Sequence, residues 1–235
     1  MKNKRTLRII IIMISMLLAY FIYAGEYKIK AEQSHIERGI EEFIERSVTI
    51  VDFTEVDNML AVYYTLGSND SIGFTALHKG FNGRYQIRDA SYGTRNRVIQ
   101  GIPFETNGGE YLAIMGTNYE GKIASVRVET YSGEIFMENV QGESEILAVF
   151  SAESPSLMEE YQLFDANGND ITEGMKGYLT AEESSSTGVG KAELFMLYAY
   201  CFVIILLGYG ISRVFKDEDP KKNRKRILEE KFEQR

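Results

Sequence analysis

The chain is poor in the residues that staple, bend or ligate. It has one cysteine, three prolines, two histidines and no tryptophan among 235 residues. One Cys excludes a disulfide framework and any Cys-based zinc ribbon. Two His exclude a histidine-rich metal site, and three Pro against 21 Gly exclude proline-rich or collagen-like low complexity. Cations are also in deficit. There are 26 Lys and Arg against 34 Asp and Glu, a net charge of -8, and the pI is near 5.0, which argues against a nucleic-acid partner. No G-x-S-x-G elbow, H-E-x-x-H pair or P-loop occurs, so no cofactor and no metal site is expected.

What is present is strongly segregated. Ile9 to Gly25 and Leu194 to Ser212 contain no charged residue, over 17 and 19 residues. As helices they would run roughly 26 and 28 Å at ~1.5 Å per residue, just enough for a hydrocarbon core about 30 Å thick. Both are expected to be transmembrane helices. Lys2, Lys4, Arg5 and Arg8 precede the first, and a tail of net charge +3 follows the second, whereas Gly25 to Lys191 carries -14. The positive-inside rule puts both termini in the cytoplasm and the middle outside. A cleaved signal peptide is the competing reading of the first segment. It suits the basic start, but Ile22-Tyr23-Ala24 lacks a small residue three positions before the cut. Gly208 and Gly210 are two apart rather than four, so they do not form a small-xxx-small helix-packing motif.

The chain divides accordingly: a basic N-terminus (1–8), a first span (9–25), a connector with a helix (26–47), a β-rich domain (48–181), a flexible linker (182–193), a second span (194–212) and a basic tail (213–235). Ile36, Ile40, Phe43 and Ile44 recur at helical spacing and form one apolar face over 33–47. Ser34 and Glu37 read as a capping box. From Val48 onward, short β-rich runs alternate with turn signals such as Asn82-Gly83, Asn107-Gly108-Gly109 and Asp165 to Asp170. Asn82-Gly83 is expected to close a type I′ hairpin onto Arg84 to Ala90. The fold class is mainly β (α+β): an antiparallel β-sandwich or partly closed barrel with one N-terminal amphipathic helix, flanked by two transmembrane helices. Leu60 to Tyr92 and Tyr111 to Phe150 share an order of strands and turns, a weak sign of duplication. Glu182 to Gly190, rich in Ser and Gly, reads as the linker.

Two groups of residues stand out for contact. Lys221, Lys222, Arg224, Lys225 and Arg226 lie just past the second span and suit the anionic inner leaflet of the bilayer. Arg84, Tyr85, Arg88, Arg95 and Arg97 form the one basic, aromatic stretch of the body and are the candidate partner contact. His35 and His78 read as surface histidines. Asp165-x-Asn167-x-Asn169 resembles a calcium loop but has Asp170 where a Gly is needed and Lys176 where a Glu is needed. The expectation is a non-enzymatic membrane-anchored protein of a bacterial envelope, with an acidic extracytoplasmic domain that binds another membrane protein as accessory or scaffold subunit. The alternatives are a ligand sensor relaying through its short tail, and a hydrolase using paired carboxylates.

Overall fold

The computed structural model describes residues 2–67, 71–94, 97–153, 158–178, 186–190 and 194–215. They form two units, one from the chain ends and one from Tyr27–Ala192.

The end unit is a pair of helices, α1 (Lys2–Glu26) and α4 (Leu194–Val214). Both are long and apolar enough to cross a membrane. The residues they bury between them are mostly small: Ser15 and Ala19 on α1, Gly208 and Ser212 on α4. A Cβ on Gly208 would run into the Ser15 side chain, and Cys201 Sγ lies 3.5 Å from the Ala19 carbonyl oxygen. Ser15 therefore meets Gly208 while Ala19, further along, meets the earlier Cys201, so the helices are antiparallel. Gly210 is exposed and takes no part in the seam. Gly208 shares it with Ser212, at the four-residue spacing that keeps small side chains on one helix face. Large apolar side chains such as Met13, Phe21, Phe202 and Leu207 point outward, the reverse of a water-soluble helix pair.

The central unit begins with α2 (Gln33–Ile44). It ends three residues earlier than its periodicity suggests, because Glu45 takes a left-handed conformation with φ 57°. Its N-cap is Glu32 without a side-chain cap bond, so the Ser34–Glu37 box does not form. The strands are β1 (Val48–Val56), β2 (Met59–Leu66), β3 (Ser71–Lys79), β4 (Tyr85–Gln86), β5 (Asp89–Thr94), β6 (Ile99–Glu105), β7 (Glu110–Thr117), β8 (Ser125–Thr130), β9 (Ile135–Asn139), β10 (Glu145–Ala152), β11 (Met158–Phe164) and β12 (Ser186–Gly190), with a short α3 (Thr172–Met175) before β12. They build three antiparallel sheets: β1-β2-β3-β5-β12 with β4 beside β3, then β10-β7-β6, then β11-β8-β9. No sheet closes into a barrel among the described residues.

Three apolar clusters hold this unit, and the period-two alternation of strands explains how they connect. On β2, Leu60, Val62 and Tyr64 join α2's Ile36 and Ile40 in one cluster, while Met59, Ala61 and Tyr63 join Ala113 and Met115 of β7 in another. On β7, the alternate residues Leu112 and Ile114 join Val126, Val128 and Leu163 of the third sheet. Strands buried on both faces lose the alternating pattern of a half-exposed strand, and MLAVYYTL and EYLAIMGT show that loss. A polar tie links the first two sheets. Asp57, in the β1–β2 turn, accepts hydrogen bonds from Thr106 Oγ1 at 2.6 Å and Tyr111 Oη at 2.8 Å, beside the β6–β7 turn.

Four further expectations are corrected. Asn82-Gly83 does not close a type I′ turn. Gly83 has φ 72° but Asn82 is not in the positive region; the loop is closed by the Gly80 N–H on the Arg84 carbonyl at 2.7 Å and the Gly83 N–H on the Gly80 carbonyl at 3.0 Å, with the Asn82 side chain accepting the Arg84 N–H at 3.1 Å. The return strand is split. His78 pairs with Gln86 but Phe74 pairs with Ser91, a one-residue slip that is a bulge between β4 and β5. Part of the linker is strand β12, which pairs with β5 from Ser186↔Gly93 to Gly190↔Asp89. The duplication fails too: β2, β3 and β5 share one sheet, whereas β7 and β10 lie in the second and β8 and β9 in the third.

Candidate functional site

The basic, aromatic stretch is not one surface. Arg84 is exposed in the loop after β3. Tyr85 is a correction: it is 2% exposed, its hydroxyl donates to Glu55 Oε1 at 2.8 Å, and it packs in the cluster under α2. A ring so buried is core and no contact residue. Lys79 pairs with the same Glu55, and its ammonium together with the Tyr85 hydroxyl holds the Glu55 carboxyl below the ordinary range. Arg88 is half-buried near His78, whose imidazole is pushed down to about 4, first by burial and then by the Arg88 guanidinium. His78 is therefore no ordinary surface histidine. Arg95 lies outside the described residues. Arg97 follows the end of β5 that pairs with Ser71, whereas Arg84 lies next to Lys79 at the other end of β3. With ~3.3 Å per strand residue, they are at opposite ends of a nine-residue strand. The tail cluster Lys221, Lys222, Arg224, Lys225 and Arg226 also lies outside the described residues.

Arg97 instead lines an open cleft of about 700 Å³ beside β11 and α3, with Glu160, Gln162, Asp170, Glu173 and Lys176. Much of that charge is already engaged. Lys176 pairs with Glu173 at 2.5 Å, and Asp170 accepts the Thr172 N–H at 2.9 Å. The Thr172 hydroxyl, at 2.6 Å, and then its N–H hold the Asp170 carboxyl below its ordinary range. The calcium-like run is a side-chain turn: Asp165 accepts the N–H groups of Asn167 and Asn169 at 2.9 and 2.8 Å. No cluster of three metal-ligating side chains occurs among the described residues.

The most unusual surface is the third sheet. Its inner face carries Val126, Val128 and Leu163 into the core. Its outer face has Gln162 of β11 accepting from Arg127 of β8 at 3.0 Å, and Arg127 also bonds Glu129 at 3.0 Å. Across the ladder, Arg127 pairs with Met137 and Glu129 with Ile135. Met137 is 63% exposed, Ile135 56% and the preceding Tyr131 66%. Phe81 is the only other large apolar side chain so exposed among the described residues of the central unit. β9 pairs with β8 alone, and no described strand occupies its other edge. Beside it a smaller cleft of about 220 Å³ is lined by Glu138, Glu143 and Ile146 to Val149 of β10. An open edge can hydrogen-bond an incoming strand, and alternating apolar side chains can hold its flank. The alternation of Ile135 and Met137 was visible in the sequence. That both face solvent was not, because alternation does not say which face is buried.

No family model, no curated protein and no solved structure matches this chain.

Proposed function

We propose that this protein is a non-enzymatic, membrane-anchored binding protein, an accessory or scaffold subunit of an envelope complex that presents its acidic β-rich unit to a partner. The observation that carries the reading is the concentration of exposed apolar side chains on an open strand, Tyr131, Ile135 and Met137 around β9. Monomeric soluble surfaces rarely leave such side chains grouped, and grouped ones mark interaction sites. The antiparallel seam of α1 and α4 supports a topology with both chain ends on the cytoplasmic side, the side that the basic flanks favour. The sharing of core clusters between successive sheets supports a sandwich-like stacking of the central unit. The tail basic residues then face the anionic inner leaflet.

The test is a mild-detergent purification of the full-length protein from its native membrane, with residues 27–192 alone as control. A stoichiometric membrane partner held by the full-length protein is the expected result. Recovery of the protein alone, at every detergent and salt tried, would count against the reading.

A further inference from the structure

We propose that the open edge of β9 is a docking site for an extended segment of a partner protein in which basic and apolar side chains alternate. The segment adds to the third sheet as a further antiparallel strand. This rests on the binding reading above and names the chemistry of the partner.

The backbone phase comes first. Thr130 N–H donates to the Glu134 carbonyl at 3.0 Å, and Val128 and Val126 stand opposite Phe136 and Glu138. Antiparallel strands alternate the direction of their backbone groups. Phe136 and Glu138 therefore point their N–H and C=O groups at β8, while Ile135, Met137 and Asn139 point theirs at the open edge.

The side chains set the second requirement. Ile135 and Met137 project from the outer face and offer apolar contact to one set of a guest strand's side chains. Phe136 lies on the opposite face, stacked on Phe150 of β10 at 5.0 Å between ring centroids, and Glu138 shares that face and lines the smaller cleft with Glu143. A guest strand would direct its alternate side chains there. Among the described residues, no basic side chain lines that cleft.

Charge decides the occupant. From Val128 to Met175 the chain carries eleven Asp and Glu and no Lys, Arg or His. Opposite charges across a strand pair are favourable and like charges are not. A second copy of this chain would set two such acidic stretches edge to edge, so the fitting occupant is a basic segment of another protein.

The probe is a short peptide alternating Lys and Val, fluorescently labelled and titrated into the full-length protein in detergent. A Glu-Val alternating peptide and a Lys-Lys-Lys-Val-Val-Val block peptide serve as controls. The alternating basic peptide is expected to bind best and to slow hydrogen exchange at the Met137 and Asn139 amides. Met137→Pro removes an edge N–H without touching the β8–β9 ladder and is expected to weaken binding about tenfold. Glu138→Lys with Glu143→Lys keeps the backbone edge and is expected to weaken it as far. Equal binding of the block peptide, no exchange protection in β9, or an unchanged affinity in both variants would overturn the proposal. So would self-association through β9 in sedimentation. A native partner that co-purifies equally with wild type and Met137→Pro would leave the binding reading standing and defeat only this site.

Discussion

Asn118 and Ile123 exchange a pair of hydrogen bonds in which one partner is a side chain. The Asn118 Oδ1 accepts the Ile123 N–H at 2.8 Å, and its Nδ2 donates to the Ile123 carbonyl at 2.8 Å. Nδ2 also approaches the Val140 carbonyl at 3.4 Å, and the Asn118 N–H donates to Ser144 at 2.9 Å. Asn118 lies where the chain leaves β7 for the third sheet, and Val140 and Ser144 lie where it returns from β9 to β10. One buried amide thus fastens two of the three crossings between the second and third sheets, β7 to β8 and β9 to β10.

Asn118→Ala is expected to destabilise the protein by about 2–3 kcal/mol, because it leaves buried backbone groups of Ile123 without partners. Urea unfolding of the full-length protein checks this. A shift in midpoint no larger than that of an exposed Asn→Ala substitution, such as Asn167→Ala, would show that the amide ties nothing together.

Gly73 stands opposite Tyr64 in the β2–β3 ladder, and the Tyr64 ring lies over it, with its hydroxyl donating to the Ser91 carbonyl at 3.1 Å. A Cβ on Gly73 would collide with that ring. Gly73→Ala is expected to cost about 1–3 kcal/mol by overpacking, and pairing it with Tyr64→Leu is expected to recover part of that loss. A neutral Gly73→Ala would mean that the ring can swing away freely.

His78 predicts a slope in the acid limb of stability. Its folded pKa, about 4, lies below the unfolded value near 6.5. The unfolded chain therefore binds its proton first as pH falls. The His78 contribution is present above pH 6.5 and is lost between about 6.5 and 4. Allowing for partial exposure, the loss is about 2 kcal/mol. His78→Gln is expected to flatten stability between pH 6.5 and 4.5. An unchanged slope in that variant would assign the acid limb to other groups.

The helix seam is open to direct chemical test. Ala19→Cys is expected to form an intramolecular disulfide with the native Cys201 on mild oxidation, since Cys201 Sγ lies 3.5 Å from the Ala19 carbonyl oxygen. In a Cys201→Ser background, Ala19→Cys with Phe202→Cys is not, because Phe202 faces outward. Efficient cross-linking of the second pair and none of the first would reverse the assigned faces.

Much of the fold was legible because its signals were local. The apolar face of α2 and the uncharged runs inside α1 and α4 declare themselves by period and length. Most strands of the central unit fall within a residue or two of their apolar runs. The failures share a cause, which is that pairing partners lie far away in sequence. Ser186–Gly190 has the composition of a linker, yet its backbone completes an edge beside β5, and backbone hydrogen bonds need no apolar side chain. Nothing local at Asn118 announces that the chain changes sheet there. Ser15 and Gly208 are 193 positions apart, and their fit is a property of neither helix alone. The candidate surface was missed for a related reason. Arg84 to Arg97 looked like a patch because it is close in sequence, while Ile135 and Met137 looked like ordinary strand residues.

The two ends of the central unit are stitched into the same sheet. Ile29 bridges to Tyr85 with both backbone bonds, at 3.1 and 2.7 Å, and β12 lies along β5. In mechanical terms, tension entering from α1 and leaving through α4 is carried by the first sheet and need not cross the second or the third.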